Sequence, residues 1–379
     1  MQNVVTQLFR VLVGGLFIFS GLIKLNDPMG MAFKLEDYFA PDVLNLTFLT
    51  PFALSIALFI VIAEVLLGVA LLIGWKTKIT VLSLMGLIVF FTFLTFYSAY
   101  FNKVTDCGCF GDAIPLTPWQ SFSKDVILLV LILWIWRFQH FIRPVFAPGL
   151  QNLSVVVALV LCGWMGWHVL RHLPFKDFRP YAIGKNIADG MKPAEELGLE
   201  PPKYLTFYTL VNQETGKEEV VDSDAYVKDR WWEKPEWQID GERTFTKLVR
   251  KGYEPPIHDF DLIQEGEDIT EMVLELERVI LVVAYDLRKS NARLHAKVNS
   301  FVNEAEALGV QTYGLTSTDP VIIEELRHEW QMPYPFAVAD QTTLKTIIRA
   351  NPGVVLLEKG TVVGKWNPRD LPEAGSLFK

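Results

Sequence analysis

Two of the three cysteines stand two positions apart, in Thr105-Asp106-Cys107-Gly108-Cys109-Phe110-Gly111-Asp112. Gly108 gives the backbone the freedom that a Cys-x-Cys ring requires, and a ring so small is strained. A strained, accessible disulfide has a higher reduction potential than a structural one, so Cys107 and Cys109 suit exchange with a partner thiol and add little stability. Two other readings stay open. Two thiolates with only Asp106 and Asp112 nearby, and no histidine in the loop, fall short of a zinc set, so no metal is expected. A structural turn packed under Phe110 would need no chemistry at all.

Ionisable side chains inside apolar spans are costly and face a partner or a polar cavity. Arg10 and Glu64 are the clear cases, and the expectation is an ion pair between the first and second helices, either fixing their packing or handling a proton or ligand. Lys24 and Lys124 stand near span ends and read as snorkelling anchors. Cys162, inside an apolar run, reads as a small core or lipid-facing residue. One redox pair is left, too few for a relay through two disulfides to a quinone. Ser290 and His295 lack an oriented acid and an oxyanion motif and read as an accidental pair, and His258 and His328 have no companions as ligands.

The elements that carry these residues divide the chain in two. Up to Arg171 there are 10 basic and 8 acidic residues, against 25 and 35 from His172 to Lys379. A bilayer core about 30 Å thick needs roughly 20 apolar residues per helix, and five stretches qualify: Val4 to Ile23, Phe48 to Gly74, Ile79 to Tyr100, Phe122 to Phe138 and Leu153 to Leu170. The first lacks the basic start and the cleavage site of a secretory signal and reads as a retained helix. Lys76 and Lys78 in one turn, and Arg137 and Arg143 in another, place those turns and the N-terminus in the cytoplasm. The stretch Asn26 to Thr47, the cysteine loop and everything after the fifth span then lie outside, where thiols are oxidised. The predicted location is a bacterial inner membrane with the C-terminal domain in the periplasm. With 43 Asp+Glu against 35 Lys+Arg and no basic cluster, nucleic acid is excluded as a partner, and membrane lipid is the expected one.

The soluble part begins with KYLTFYTLVNQETGKEEVV, a hairpin around Gly216, followed by Trp231, Trp232 and Trp237, which read as a docking surface or as the core of a small domain. From Val279 the pattern is a buried strand to Tyr285, a helix Asn291 to Leu308, a strand Gln311 to Leu315, a helix Pro320 to Trp330, and a hairpin Val354 to Leu357 and Thr361 to Trp366. Strands alternating with helices and closing on a hairpin fit an α/β sandwich.

Arg10-Val11-Leu12-Val13-Gly14-Gly15-Leu16-Phe17-Ile18-Phe19-Ser20-Gly21-Leu22-Ile23-Lys24-Leu25 with Asp27-Pro28 resembles the opening of the DoxX-type membrane family. AEVLLGVALLIGW around Glu64, the DCGCFG loop and Lys124-Asp125 resemble its methylamine-utilisation branch, the MauE type. The resemblance covers about the first 145 residues. It implies a four-helix membrane bundle linked to disulfide formation or maturation of periplasmic proteins beside a thioredoxin-like partner, with Cys107 and Cys109 as the redox pair and Arg10, Ser20, Lys24 and Glu64 as bundle residues. With its FRPYAIGKNI continuation, the long chain resembles long DoxX-type proteins of Bacteroides-related bacteria. IIRANPGVVLLEKGTVVGKW is similar to the thioredoxin segment that carries a cis-proline, which makes Pro352 a candidate client-binding residue. Tyr285-Asp286-Leu287-Arg288-Lys289-Ser290-Asn291 holds no cysteine where a thioredoxin has Cys-x-x-Cys.

The expected organisation is a DoxX/MauE-like bundle over 1–145, a fifth transmembrane helix over 146–172, a linker and hairpin region over 173–260, and a thioredoxin-like domain lacking CxxC over 261–379. The expected function is periplasmic thiol–disulfide exchange or protein maturation through Cys107 and Cys109, with the tail binding a client or partner protein of the envelope. A membrane quinone is the one cofactor that this reading invites, and no residue specifies it. The alternative is a non-enzymatic assembly subunit of an envelope complex.

Overall fold

The computed structural model describes residues 1–378 apart from 102, 105–107 and 109. Five helices are long and apolar enough to cross a membrane: α1 (Gln2–Asn26), then, after the short helix α2 (Pro28–Phe39), α3 (Ala53–Ile73, with a 3-10 lead-in from Thr47), α4 (Thr77–Phe101), α5 (Pro118–Arg137) and α6 (Pro148–Arg171). On α1 the buried positions Thr6, Arg10, Val13, Gly14, Phe17, Gly21 and Lys24 recur every three or four residues, while Leu8, Leu12, Leu16, Phe19 and Leu22 face outward. That is the stripe of a helix packed on one side and wetted by lipid on the other.

No hydrophobic force draws helices together in lipid, so close backbone approach has to do it. Gly14 and Gly68 supply that approach between α1 and α3. A Cβ on Gly68 would stand 2.8 Å from the carbonyl oxygen of Gly14, and one on Gly14 would stand 2.7 Å from the Leu72 side chain. The contact lets Phe17, Leu71, Leu84, Ile88, Leu128 and Ile132 close into one core.

The stretch expected to be a loop from Asn26 to Thr47 contains α2. Asp27 accepts from Gly30 N at 3.0 Å and Pro28 fills the first turn, the start signals of a helix. Its apolar side, Met31, Ala32, Leu35, Tyr38 and Phe39, is buried against the bundle. The helix therefore lies over one end of the bundle. At the other end, Val145 N bonds Ile73 O at 3.0 Å and Gln7 reaches Phe141 O at 2.9 Å, so the N-terminus, the Lys76 turn and the Arg143 connection are together.

Residues 186–260 form a compact unit of their own. It holds α7 (Ile187–Met191), β1 (Lys203–Asn212), β2 (Glu218–Asp222), α8 (Ser223–Lys228) and β3 (Trp237–Arg250). The antiparallel sheet runs β2-β1-β3, and Gly216, at φ +67°, makes the turn of the expected hairpin. Trp231 packs edge-on to Trp237 with ring centres 5.2 Å apart, whereas Trp232 is exposed.

The other unit joins residues 1–185 to 261–379. Its C-terminal part contains β4 (Ile263–Gln264), β5 (Glu267–Asp268), α9 (Thr270–Glu275), β6 (Val279–Val283), α10 (Ala292–Ala307), β7 (Gln311–Thr316), α11 (Pro320–Glu329), β8 (Phe336–Val338), α12 (Gln341–Ile347), β9 (Gly353–Glu358), β10 (Thr361–Trp366) and α13 (Ala374–Leu377). The seven strands run β10-β9-β6-β7-β8-β4-β5, with β6 parallel to β7 and antiparallel to β9. All five residues of β6 are buried, so the strand is covered on both faces. The molecule is thus a membrane helix bundle followed by a mixed α/β domain.

Candidate functional site

The residues expected to pair in the bundle do not meet. Arg10 donates from Nε to Leu71 O at 2.9 Å and from Nη2 to Leu72 O at 2.7 Å, and from Nη1 to Gln7. The last carbonyls of a helix have no partner within it, and the guanidinium caps those of α3 just before the left-handed Gly74. Glu64 lies seven residues earlier, about 10 Å along the axis, beyond reach of that guanidinium. The expected Arg10–Glu64 pair is therefore replaced by two separate arrangements.

Glu64 instead takes Lys24 of α1 as its ion partner and accepts from Ser20 Oγ at 3.4 Å. Both charged side chains are buried, and the Lys24 ammonium also stands 4.6 Å from the centre of the Phe91 ring. Lys24 is thus no surface anchor, because α2 covers the end of α1 where water was expected. Lys124 makes a 2.5 Å contact with Asp125, whose other oxygen accepts from Thr95 at 3.0 Å, and lies 5.4 Å from the Phe110 ring centre. These pairs face one small cavity of about 40 Å³, which Ser20, Lys34, Tyr38 and Thr95 line beside apolar side chains. Tyr38 of α2, bonded to Ser98 at 2.7 Å, closes its rim.

Cys107 and Cys109 lie outside the described residues. Gly108 between them and Phe110 beside them line the cavity, and the side chain of Lys34 packs on Gly108, with Cγ 3.4 Å from where a Cβ would stand. The loop that carries the cysteines thus meets the cavity at the end covered by α2.

Residues 2–138 match the family model of "Methylamine utilisation protein MauE". This part of the chain is similar to the MauE-type membrane family. "Protein TlpB" of Flavobacterium psychrophilum is 27% identical over 137 residues, which cover 33% of this chain and 35% of TlpB. The chain therefore matches about a third of the length of that relative.

The α/β domain is held against the MauE-type domain by charges. Arg349, two residues beyond α12, donates to both oxygens of Asp27 and reaches Asp112 at 3.3 Å, three residues after Cys109. Lys345 pairs with Glu36 at 3.6 Å and lies over the Phe33 ring, which meets Tyr285 edge-on. Burial raises the Asp112 carboxyl above its ordinary pKa, although Arg349 opposes this. In the segment leaving α6, Asp177 takes both Arg179 and Lys365, at 2.7 and 2.5 Å. Burial pushes Asp177 up, but its two cations outweigh that and hold it low; burial brings Lys365 down to about 8.

Pro352 follows the one cis peptide bond among the described residues, at the start of β9. Asn351 donates to Asp286 O at 2.9 Å, which ties this proline to the cysteine-free loop after β6. Ser290 and His295 do meet, Oγ to Nε2 at 2.8 Å. Burial lowers His295 to about 4, and its Nδ1 has no hydrogen-bond partner, so no acid orients it. Cys162 is buried on α6 with its sulfur free, and His328 is exposed beside Glu324.

The signals that reasoning from sequence missed are Lys34, Lys345 and Arg349. Each is a lone basic residue in an ordinary amphipathic stretch, and only the fold brings them to the cysteine loop.

Proposed function

We propose that this membrane protein carries out thiol–disulfide exchange for the maturation of proteins outside the cytoplasm, through Cys107 and Cys109. The observation that carries the reading is the meeting at Gly108: the loop with the cysteine pair, the polar cavity of the bundle and the α/β domain that grips Asp112 converge there. In the exchange, a client thiolate attacks one sulfur of the Cys107–Cys109 disulfide and releases the other as a thiolate. The second client thiol, on losing its proton, displaces the bound sulfur. The client leaves as a disulfide, and Cys107 and Cys109 hold its two electrons and, once reprotonated, the equivalent of its two protons. The strain of so small a ring favours this direction.

The C-terminal domain is read as thioredoxin-like. Its β6-α10-β7 unit and the antiparallel β9-β10 pair support that reading. Lacking cysteines of its own after β6, it would hold a client or partner and leave the chemistry to the MauE-type loop. The basic turns at Lys76 and Arg143 support a cytoplasmic N-terminus, with the α/β domain on the far side of a bacterial inner membrane.

The test is alkylation of thiols in intact cells with a membrane-impermeant mass tag, before and after mild reduction, with buried Cys162 as the internal control. The expected result is an oxidised pair that is readily reduced and reoxidised, and a mixed disulfide trapped by Cys107→Ser or Cys109→Ser. Wild-type maturation in both variants would overturn the reading. The second reading, an assembly subunit, is favoured by the cysteine-free loop Tyr285–Ser290; it expects the pair to be dispensable and deletion of residues 203–379 to disperse a native complex.

A further inference from the structure

The geometry points to a second site, a cavity at the C-terminal end of α6 that binds the phosphate of an anionic phospholipid and so ties the α/β domain to the membrane surface. The segment from Leu173 to Ile183 leaves α6 and, with Lys365 of β10, encloses about 330 Å³. That volume is at the low end of ligand pockets and suits a small polar group.

The charges of this cavity do not balance. Lys176, Arg179 and Lys365 line it against a single carboxylate, Asp177. Arg179 and Lys365 are only 4% and 7% exposed and share that carboxylate, at 2.7 and 2.5 Å. Lys176 is exposed, lies 5.2 Å from the centre of the Phe178 ring, and has no ion-pair partner among the described residues. Buried cations in excess of their counter-charge are costly, and burial, with Arg179 adding to it, already draws the Lys365 ammonium down to about 8. A phosphodiester brings the missing negative charge together with acceptor oxygens for ammonium and guanidinium donors.

The surroundings select a lipid as the bearer of that phosphate. Trp164 and Trp167 on the last two turns of α6 are exposed, as aromatic residues at the headgroup level of a bilayer are. The ring of Phe175 stacks on that of His168, with centres 4.7 Å apart and planes 9° from parallel, which folds the segment back onto that level. Leu173, Pro174 and the exposed Phe175 and Ile183 give the cavity an apolar rim. A free anion has no use for such a rim, whereas the glycerol and first acyl carbons of a lipid do.

The experiment is native mass spectrometry of the full-length protein in neutral detergent, with phosphatidylglycerol or phosphatidylcholine added. One phosphatidylglycerol is expected to be retained about tenfold more strongly than phosphatidylcholine. Lys176→Gln and Ile183→Glu, both at exposed positions where folding is safe, should each lower that retention about fivefold, the worth of one charge beside an anionic lipid. Lys78→Gln, at an exposed position at the other end of the bundle, should leave it unchanged. Equal retention of the two lipids, or an equal loss in Lys78→Gln, would overturn the proposal, because the attraction would then be diffuse. Displacement of phosphatidylglycerol by inorganic phosphate at equal concentration would overturn it as well, since the cavity would then be a site for a free anion.

Discussion

Arg349 donates through Nε to both carboxylate oxygens of Asp27, at 3.0 and 2.8 Å, although the two stand 322 positions apart. Asp27 is also the residue that caps α2, so one carboxylate starts the helix over the cavity and anchors the α/β domain. Through Asp112 the same guanidinium holds the end of the cysteine loop.

Removing that guanidinium should loosen the domain from the bundle. Arg349→Ala leaves two partly buried carboxylates without their cation, a loss of about 2 kcal/mol for charged hydrogen bonds. Hydrogen exchange of the intact protein is expected to rise at α2 and around 111–113 while β6 and β7 stay protected. Arg349→Lys should restore only part of the protection, because a point charge cannot serve Asp27 and Asp112 in a fork. Unchanged exchange in α2 would show that the clamp carries no load.

The sequence showed the bundle and the order of the α/β domain plainly, and the reasons are physical. Apolar runs of membrane length have few competing explanations, and the buried run Val279–Val283 before a capped helix at Asn291 reads as strand and helix. It hid the partners. A buried charge such as Arg10 calls for a carboxylate in a sequence, but helix-end carbonyls serve as well. Lys24 near a span end reads as a surface anchor because α2, twelve residues with a modest apolar face, does not stand out in the sequence as a cover for the bundle. The role of Arg349 depends on a contact between distant segments that no local pattern encodes.

His295 makes the α/β domain sensitive to acid. Burial lowers its pKa from an ordinary 6.5 to about 4. Above pH 6.5 the imidazole is neutral in both folded and unfolded chains and has no effect. Below it the unfolded chain takes up a proton that the folded one refuses, so stability falls as pH drops from 6.5 towards 4, by about 3 kcal/mol in all. His295→Gln should flatten that part of the melting profile. If the variant shows the same slope between pH 6.5 and 4, the sensitivity lies in other groups.

The α1–α3 approach gives a prediction about packing. Gly68→Ala places a methyl group 2.8 Å from Gly14 O and from the Ile18 side chain, and a backbone oxygen cannot turn aside. The helices must separate, at a cost of about 1–3 kcal/mol for overpacking. Thermal unfolding in detergent should register this loss, whereas Gly86→Ala, with open space around it, should gain slightly from better helix propensity. Equal midpoints for the two variants would contradict close α1–α3 contact.

The buried Lys24–Glu64 pair allows stability and function to be separated. Lys24→Met strands the Glu64 carboxylate in an apolar bundle and should cost about 3–5 kcal/mol, the usual consequence of breaking a buried ion pair. Lys24→Met combined with Glu64→Leu removes the stranded charge and the desolvation that goes with it, so most of that stability should return. Unfolding midpoints of the two variants in detergent check this, and an additive loss in the double variant would rule out direct coupling. If the pair served packing alone, the double variant would mature clients as the wild type does. With a ligand-handling pair, it should fold well and remain defective, because the recovered bundle has no donor and no proton carrier at that wall of the cavity.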